Sequence, residues 1–160
     1  MNFKSLTASA VFLSSVSAMA FNVPVALYTF RSGPVAPQYR EENRCLLRID
    51  GTLVKNRSIG GRSEKPVIKK IAFTAEIKDM DALIAIRDKA QDGKLKRSGV
   101  APVGGPIRTY SAVEMLPGDR TKTTVVKQSG GIVQDIASPA SAKAAATKLV
   151  QFLDFNCNQQ

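Results

Sequence analysis

The 160-residue chain has no histidine and no tryptophan, only two cysteines, and 13 acidic side chains against 23 Lys and Arg. Without an imidazole there is no His general base, no Ser-His-Asp triad and no ordinary zinc site, because each needs a ring that titrates or ligates near neutral pH. Neither cysteine is expected to be a nucleophile, since no His is present to activate it. No serine stands three residues before a lysine, so the Ser-x-x-Lys arrangement of penicillin-binding enzymes is also missing. Paired glycines at 60 and 61, 104 and 105, and 130 and 131 lack the lysine and hydroxyl partner of a phosphate-cradling loop and read as turns. No acidic ladder has calcium-loop spacing, so neither a metal nor a cofactor is expected.

What remains is a basic chain with 44% hydrophobic and 22% charged residues, an ordinary globular composition. Its first 20 residues carry a single charge, Lys4, then an apolar stretch that ends in Ala18-Met19-Ala20. A charged start, an apolar middle and a small-residue end are the pattern of a secretory leader. Residues 1–20 are therefore read as a signal peptide and residues 21–160 as one domain, periplasmic or extracellular and bacterial in type. Loss of Lys4 with the leader leaves a net charge of +9. Nothing downstream is apolar for long enough to suggest a transmembrane segment.

An exported chain meets an oxidising compartment, so Cys45 and Cys157 are expected to form a disulfide. The bridge would tie the end of the chain to its first third. Two buried free thiols are the alternative.

Element signals follow in order. Phe21 to Phe30 reads as a strand, and Pro34 and Pro37 hold Arg31 to Tyr39 as an extended loop without ladder bonds. Glu42 to Ile49 and Thr52 to Ser58 form a hairpin about Asp50-Gly51, followed by a break at residues 60–63 and an extended stretch from Pro66 to Ile77. Asp79 caps a helix from Met80 to Gln91, and a polar Gly/Pro-rich segment runs from Lys94 to Pro106. A second hairpin joins Ile107 to Leu116 with Thr121 to Gln128, and Ser138-Pro139 opens a second helix with an apolar stripe from Ala142 to Leu153. The expected fold is α+β: an antiparallel sheet with two helices on one face, in the order strand, loop, hairpin, helix, hairpin, helix.

Candidate sites are few. The carboxylate pairs are Glu41 with Glu42, Asp79 with Asp81 and Asp88 with Asp92; they lie by a strand edge, at a helix start and on a solvated helix face. They keep a carboxylate hydrolase as one rival. Lys65, Lys69 and Lys70 cluster, as do Lys94, Lys96 and Arg97, which suggests either a solvated surface or binding of an anionic envelope polymer. With few aromatics interleaved, Phe73 being the nearest, and with export limiting access, nucleic acid is not expected as a partner. Asn56-Arg57-Ser58 matches a glycosylation acceptor, a three-residue pattern that arises readily by chance.

The most distinctive segment is Arg31, Ser32, Gly33, Pro34, Val35, Ala36 and Pro37. A glycine and two stiffening prolines between strands let it protrude in a restricted conformation, which lowers the entropy lost on binding a cleft. A rigid crossover between strands is the plainer explanation. With the short helix, second hairpin and closing amphipathic helix that follow, this stretch resembles the emfourin-like family of small bacterial metalloprotease inhibitors. Arg31, Ser32 and Gly33 match the family pattern, and Pro34 stands where a second glycine is usual. The resemblance implies a non-catalytic protein whose loop occupies the cleft of a protease or other exported enzyme.

Overall fold

The computed structural model describes residues 23–100 and 104–158. The expected leader, the first two residues of the expected first strand, and residues 101–103 of the polar segment lie outside them.

Nine strands form one antiparallel sheet: β1 (Pro24–Arg31), β2 (Glu41–Arg48), β3 (Thr52–Ile59), β4 (Arg62–Ser63), β5 (Val67–Lys70), β6 (Lys94–Val100), β7 (Ile107–Leu116), β8 (Arg120–Ser129) and β9 (Ile132–Ser138). The spatial order is β4-β3-β2-β1-β7-β8-β9-β6, and β5 pairs with β3 beside β4. The β2–β3 and β7–β8 hairpins thus sit on either side of β1. Gly51 makes the first turn at φ +74°, while Gly118 at +76° and Asp119 at +57° make the second.

The α+β reading holds, with three local corrections. Lys94–Val100, expected as a polar segment, is an edge strand on β9. Its lysines can stay solvated there, and charge on an edge discourages pairing with other chains. Ile132–Ser138, which lacks a clean alternation, is a strand because β8 and β6 flank it. Arg62–Ser63, expected within a break, returns to pair with β3.

Helix α1 (Met80–Gln91) has the predicted bounds, and the Asp79 carboxylate accepts from the Ala82 amide at 2.8 Å. Helix α2 (Ala140–Cys157) starts later than predicted: Pro139 is its N-cap, after a cis bond, and Ser138 ends β9 without a capping bond. Both helices lie on one face of the sheet and share one core that includes Leu83, Ala90, Leu149, Phe152 and Leu153. Each large apolar side chain removed from water there contributes about 1.5–3 kcal/mol.

Register explains where that core stops. Residues directly opposite one another share a face, and alternate residues along a strand repeat it. Leu53, Leu47, Ala26 and Ala112 form one row across four strands, all buried. The next row is Lys55, Cys45, Tyr28, Tyr110 and Lys127; the one beyond is Arg57, Asn43, Phe30, Arg108 and Ser129. The face therefore passes from apolar to polar within four residues along β2, β3 and β7, while β1 keeps Phe30 there.

The last turn of α2 is fastened over this transition by three contacts. Cys157 is bonded to Cys45 across a separation of 112 residues, with Cα atoms 5.9 Å apart. Tyr110 donates to Asp154 Oδ1 at 2.7 Å, and Asn156 pairs with both backbone polar groups of Ala72.

Candidate functional site

The loop singled out by sequence is fixed at both ends. Arg31 belongs to β1 and faces Glu42 in register, with an ion pair at 3.2 Å, so the ladder extends further than predicted. Beyond it, the Ser32 amide donates to Glu41 O at 2.8 Å and the Glu41 amide donates to Ser32 Oγ at 2.9 Å. A side chain on Gly33 would run into the Gly104 carbonyl oxygen, which is why the closest possible residue stands there.

Instead of continuing extended, Pro37–Tyr39 form a 3₁₀ turn, because Pro37 has the right dihedral for its first position. Gly60 donates to Arg40 O at 2.8 Å, and its backbone lies so close to Gln38 that a Cβ would meet the Gln38 carbonyl at 2.7 Å. Between these anchors, Pro34, Val35, Ala36 and Pro37 face solvent, and Tyr39 is 69% exposed. Sequence reading had not singled out Tyr39 as a binding residue; its place just after the prolines was the available signal.

The lysine clusters are split by topology. Lys65, Lys69 and Lys70 lie at the β5 edge, whereas Lys94, Lys96 and Arg97 lie on β6 at the other edge. The candidate acids are dispersed as well. Glu41 accepts from Arg57 at 2.9 Å, Asp88 accepts from Arg87 and Asp79 caps α1. Glu41 instead shares a cleft with Asp154, a carboxylate that the sequence reading had not paired with it. Among the described residues, no group of three metal-ligating side chains gathers, and no helix is long and apolar enough to cross a membrane.

Sequence reading missed a set of clefts along the polar margin beside α2. One, of about 430 Å³, is lined by Tyr28, Phe30, Glu41, Asn43, Arg108, Tyr110, Asp154 and Asn158. A second, of about 540 Å³, shares Tyr28, Glu41, Asn43 and Asn158 with it and adds Lys55, Arg57, Lys65 and Lys69. A third, of about 570 Å³, meets the first at Asp154 and contains Lys96, Lys127 and Lys143. These residues come from seven strands, α2 and the segments beside them, so only the tertiary fold collects them.

Their electrostatics follow from partial burial. Tyr28 and Tyr110, each 4% exposed, have rings 5.1 Å apart. Burial pushes the Tyr28 hydroxyl above its ordinary value, and the adjacent Arg108 guanidinium offsets part of this. Burial also raises Tyr110, reinforced by its hydrogen bond to Asp154. Burial lowers the Lys55 ammonium, and the nearby charge of Lys69 lowers it further. Arg108 lies 5.7 Å over the Phe30 ring and forms no ion pair among the described residues. Asn43 donates to Glu41, while its own Oδ1 is buried without a partner.

No protein-family profile, curated protein or solved structure matches the chain.

Proposed function

We propose that the chain is an exported, non-catalytic recognition protein whose loop 31–37 seats in the cleft of a protease. The observation that carries this reading is the double anchorage of an exposed, partly apolar loop. Ser32 and Gly33 fix one end and Gly60 fixes the other, while Val35 and Tyr39 stay available to a partner. Such a loop gives up little conformational entropy on docking. Arg31 and Glu42 flank it as a charged rim, where a partner's polar edge would lie. The disulfide fits an oxidising compartment, in keeping with the leader read in the sequence.

The test uses the protein as bait for a culture's exported proteins at low and raised ionic strength, with Val35→Asp and Gly33→Ala as controls. A protease retained at both salt concentrations by the wild type and lost by both variants supports the reading. Retention of the same proteins by all three baits, or of none, counts against it.

A further inference from the structure

We propose that the clefts along α2 and around its last turn form one trough that binds an acidic glycan, a chain carrying both hydroxyls and carboxylates. This proposal is independent of the loop. It rests on how acceptors and cations are distributed along the trough.

The two ends are cationic. Lys55, Lys65 and Lys69 outnumber Glu41 and Glu64 in one cleft, and Lys96, Lys127 and Lys143 outnumber Asp135 and Asp154 in another, so members of both sequence clusters reach the same trough from opposite edges of the sheet. The middle differs in character. Asp154 and Glu41 stand there with Asn43, Asn158 and Arg108. Asp154 uses Oδ1 for Tyr110 and Asn158, and Glu41 uses Oε1 for Asn43 and Arg57. Among the described residues, nothing donates to Asp154 Oδ2 or to Glu41 Oε2.

Those spare acceptors decide the ligand class. A polyanion with a charge at every step, such as a nucleic acid or polyphosphate, would set phosphates against two carboxylates. Like charges at that range repel, and burial strengthens the repulsion. A ligand with hydroxyl donors in the middle and carboxylates toward the ends meets complementary groups throughout. Planar amides and carboxylates suit hydroxyl pairs, and the exposed Arg108 fork, which hydrogen-bonds Tyr28 and lies over Phe30 without an acidic partner among the described residues, suits a carboxylate. The buried, unpartnered Oδ1 of Asn43, where two clefts meet, is the kind of unsatisfied group that native structures keep for a reason. From β3 to β8 the trough crosses four strand spacings, about 20 Å, room for several sugar rings.

The experiment is calorimetric titration of the protein with a hyaluronan oligosaccharide, whose carboxylates alternate with uncharged rings, a neutral dextran of similar length and inorganic polyphosphate. The expected result is binding of hyaluronan alone or at least tenfold more tightly than either other chain. Lys69→Gln with Lys127→Gln should lower that affinity about tenfold and flatten its salt dependence. Arg108→Gln should weaken it at every salt concentration. All are substitutions of solvent-reaching side chains, and unchanged thermal unfolding would verify their folds. Polyphosphate binding as tightly as hyaluronan would reduce the trough to a site of general positive charge and overturn the proposal. So would the absence of hyaluronan binding at low salt, or variants that bind like the wild type.

Discussion

The side-chain amide of Asn156 pairs with the backbone of Ala72 as a neighbouring strand would: Oδ1 accepts from the amide at 2.8 Å and Nδ2 donates to the carbonyl at 3.1 Å. Nδ2 also donates to Phe152 O within α2. Asn156 is buried but Ala72 is exposed, so losing the amide leaves the Ala72 groups without their partner yet partly within reach of water. Asn156→Ala is expected to lower unfolding stability by about 1–3 kcal/mol, since each hydrogen bond contributes roughly 0.5–1.5 kcal/mol. Urea denaturation measures this. A loss below about 0.5 kcal/mol would show that water replaces the amide.

The disulfide acts one residue further along. Cys45–Cys157 closes a 112-residue separation, and the chain-entropy account gives it about 4–5 kcal/mol. The Cys45→Ser, Cys157→Ser double variant should unfold at correspondingly lower denaturant, with a larger m-value, because the unfolded chain without its cross-link is more expanded and exposes more surface. Mass measurement before and after reduction and alkylation should show two thiols only in the reduced protein.

Alkaline pH probes the same region. Both Tyr28 and Tyr110 have hydroxyls raised above the ordinary value of 10.0 in the folded chain. Their contribution is complete below pH 10 and is lost above it, because unfolded tyrosines release their protons first. Lys55, lowered from 10.5, acts in the opposite sense, its burial cost easing as pH rises toward that value. Tyr110→Phe keeps the Lys55 effect and removes one tyrosine, so stability should fall less steeply above pH 10 than in the wild type. Equal slopes would contradict the assignment.

At the loop, Gly33→Ala must displace either the loop or the Gly104 backbone. Crowding of this kind costs about 1–3 kcal/mol. Heteronuclear NMR should show shifts confined to residues near 31–41 and 104–106, with the α2 anchors unchanged. Shifts spread through α2 would mean that the loop is coupled to the core.

Much of this fold was legible because local signals agreed. Asp79 followed by the Met80, Leu83 and Ile84 spacing placed α1, and Asp50-Gly51 placed the first hairpin. The strands β6 and β9 were not legible: Lys94–Val100 has only Leu95 and Val100 as apolar residues, without alternation, and it becomes a strand only because β9 supplies its ladder. The pairing of β1 with β7 joins residues about 80 positions apart in sequence, a relation that no local pattern encodes. The same limit applies to sites. Loop 31–37 is contiguous and could be picked out from its prolines. Tyr28, Asn43, Arg108, Tyr110 and Asp154 each fit an ordinary strand or helix position, and only the register brings them to one margin. The disulfide was accessible because two cysteines allow one intramolecular pairing.

The recognition account is tested most directly by steady-state inhibition of a panel of zinc endopeptidases, comparing wild-type protein with Val35→Asp and Tyr39→Ala. The account predicts that at least one peptidase is inhibited stoichiometrically, equally well at low and raised ionic strength, and at least tenfold more weakly by each variant. Full peptidase activity across the panel at saturating wild-type protein, or inhibition that both variants retain, would contradict it.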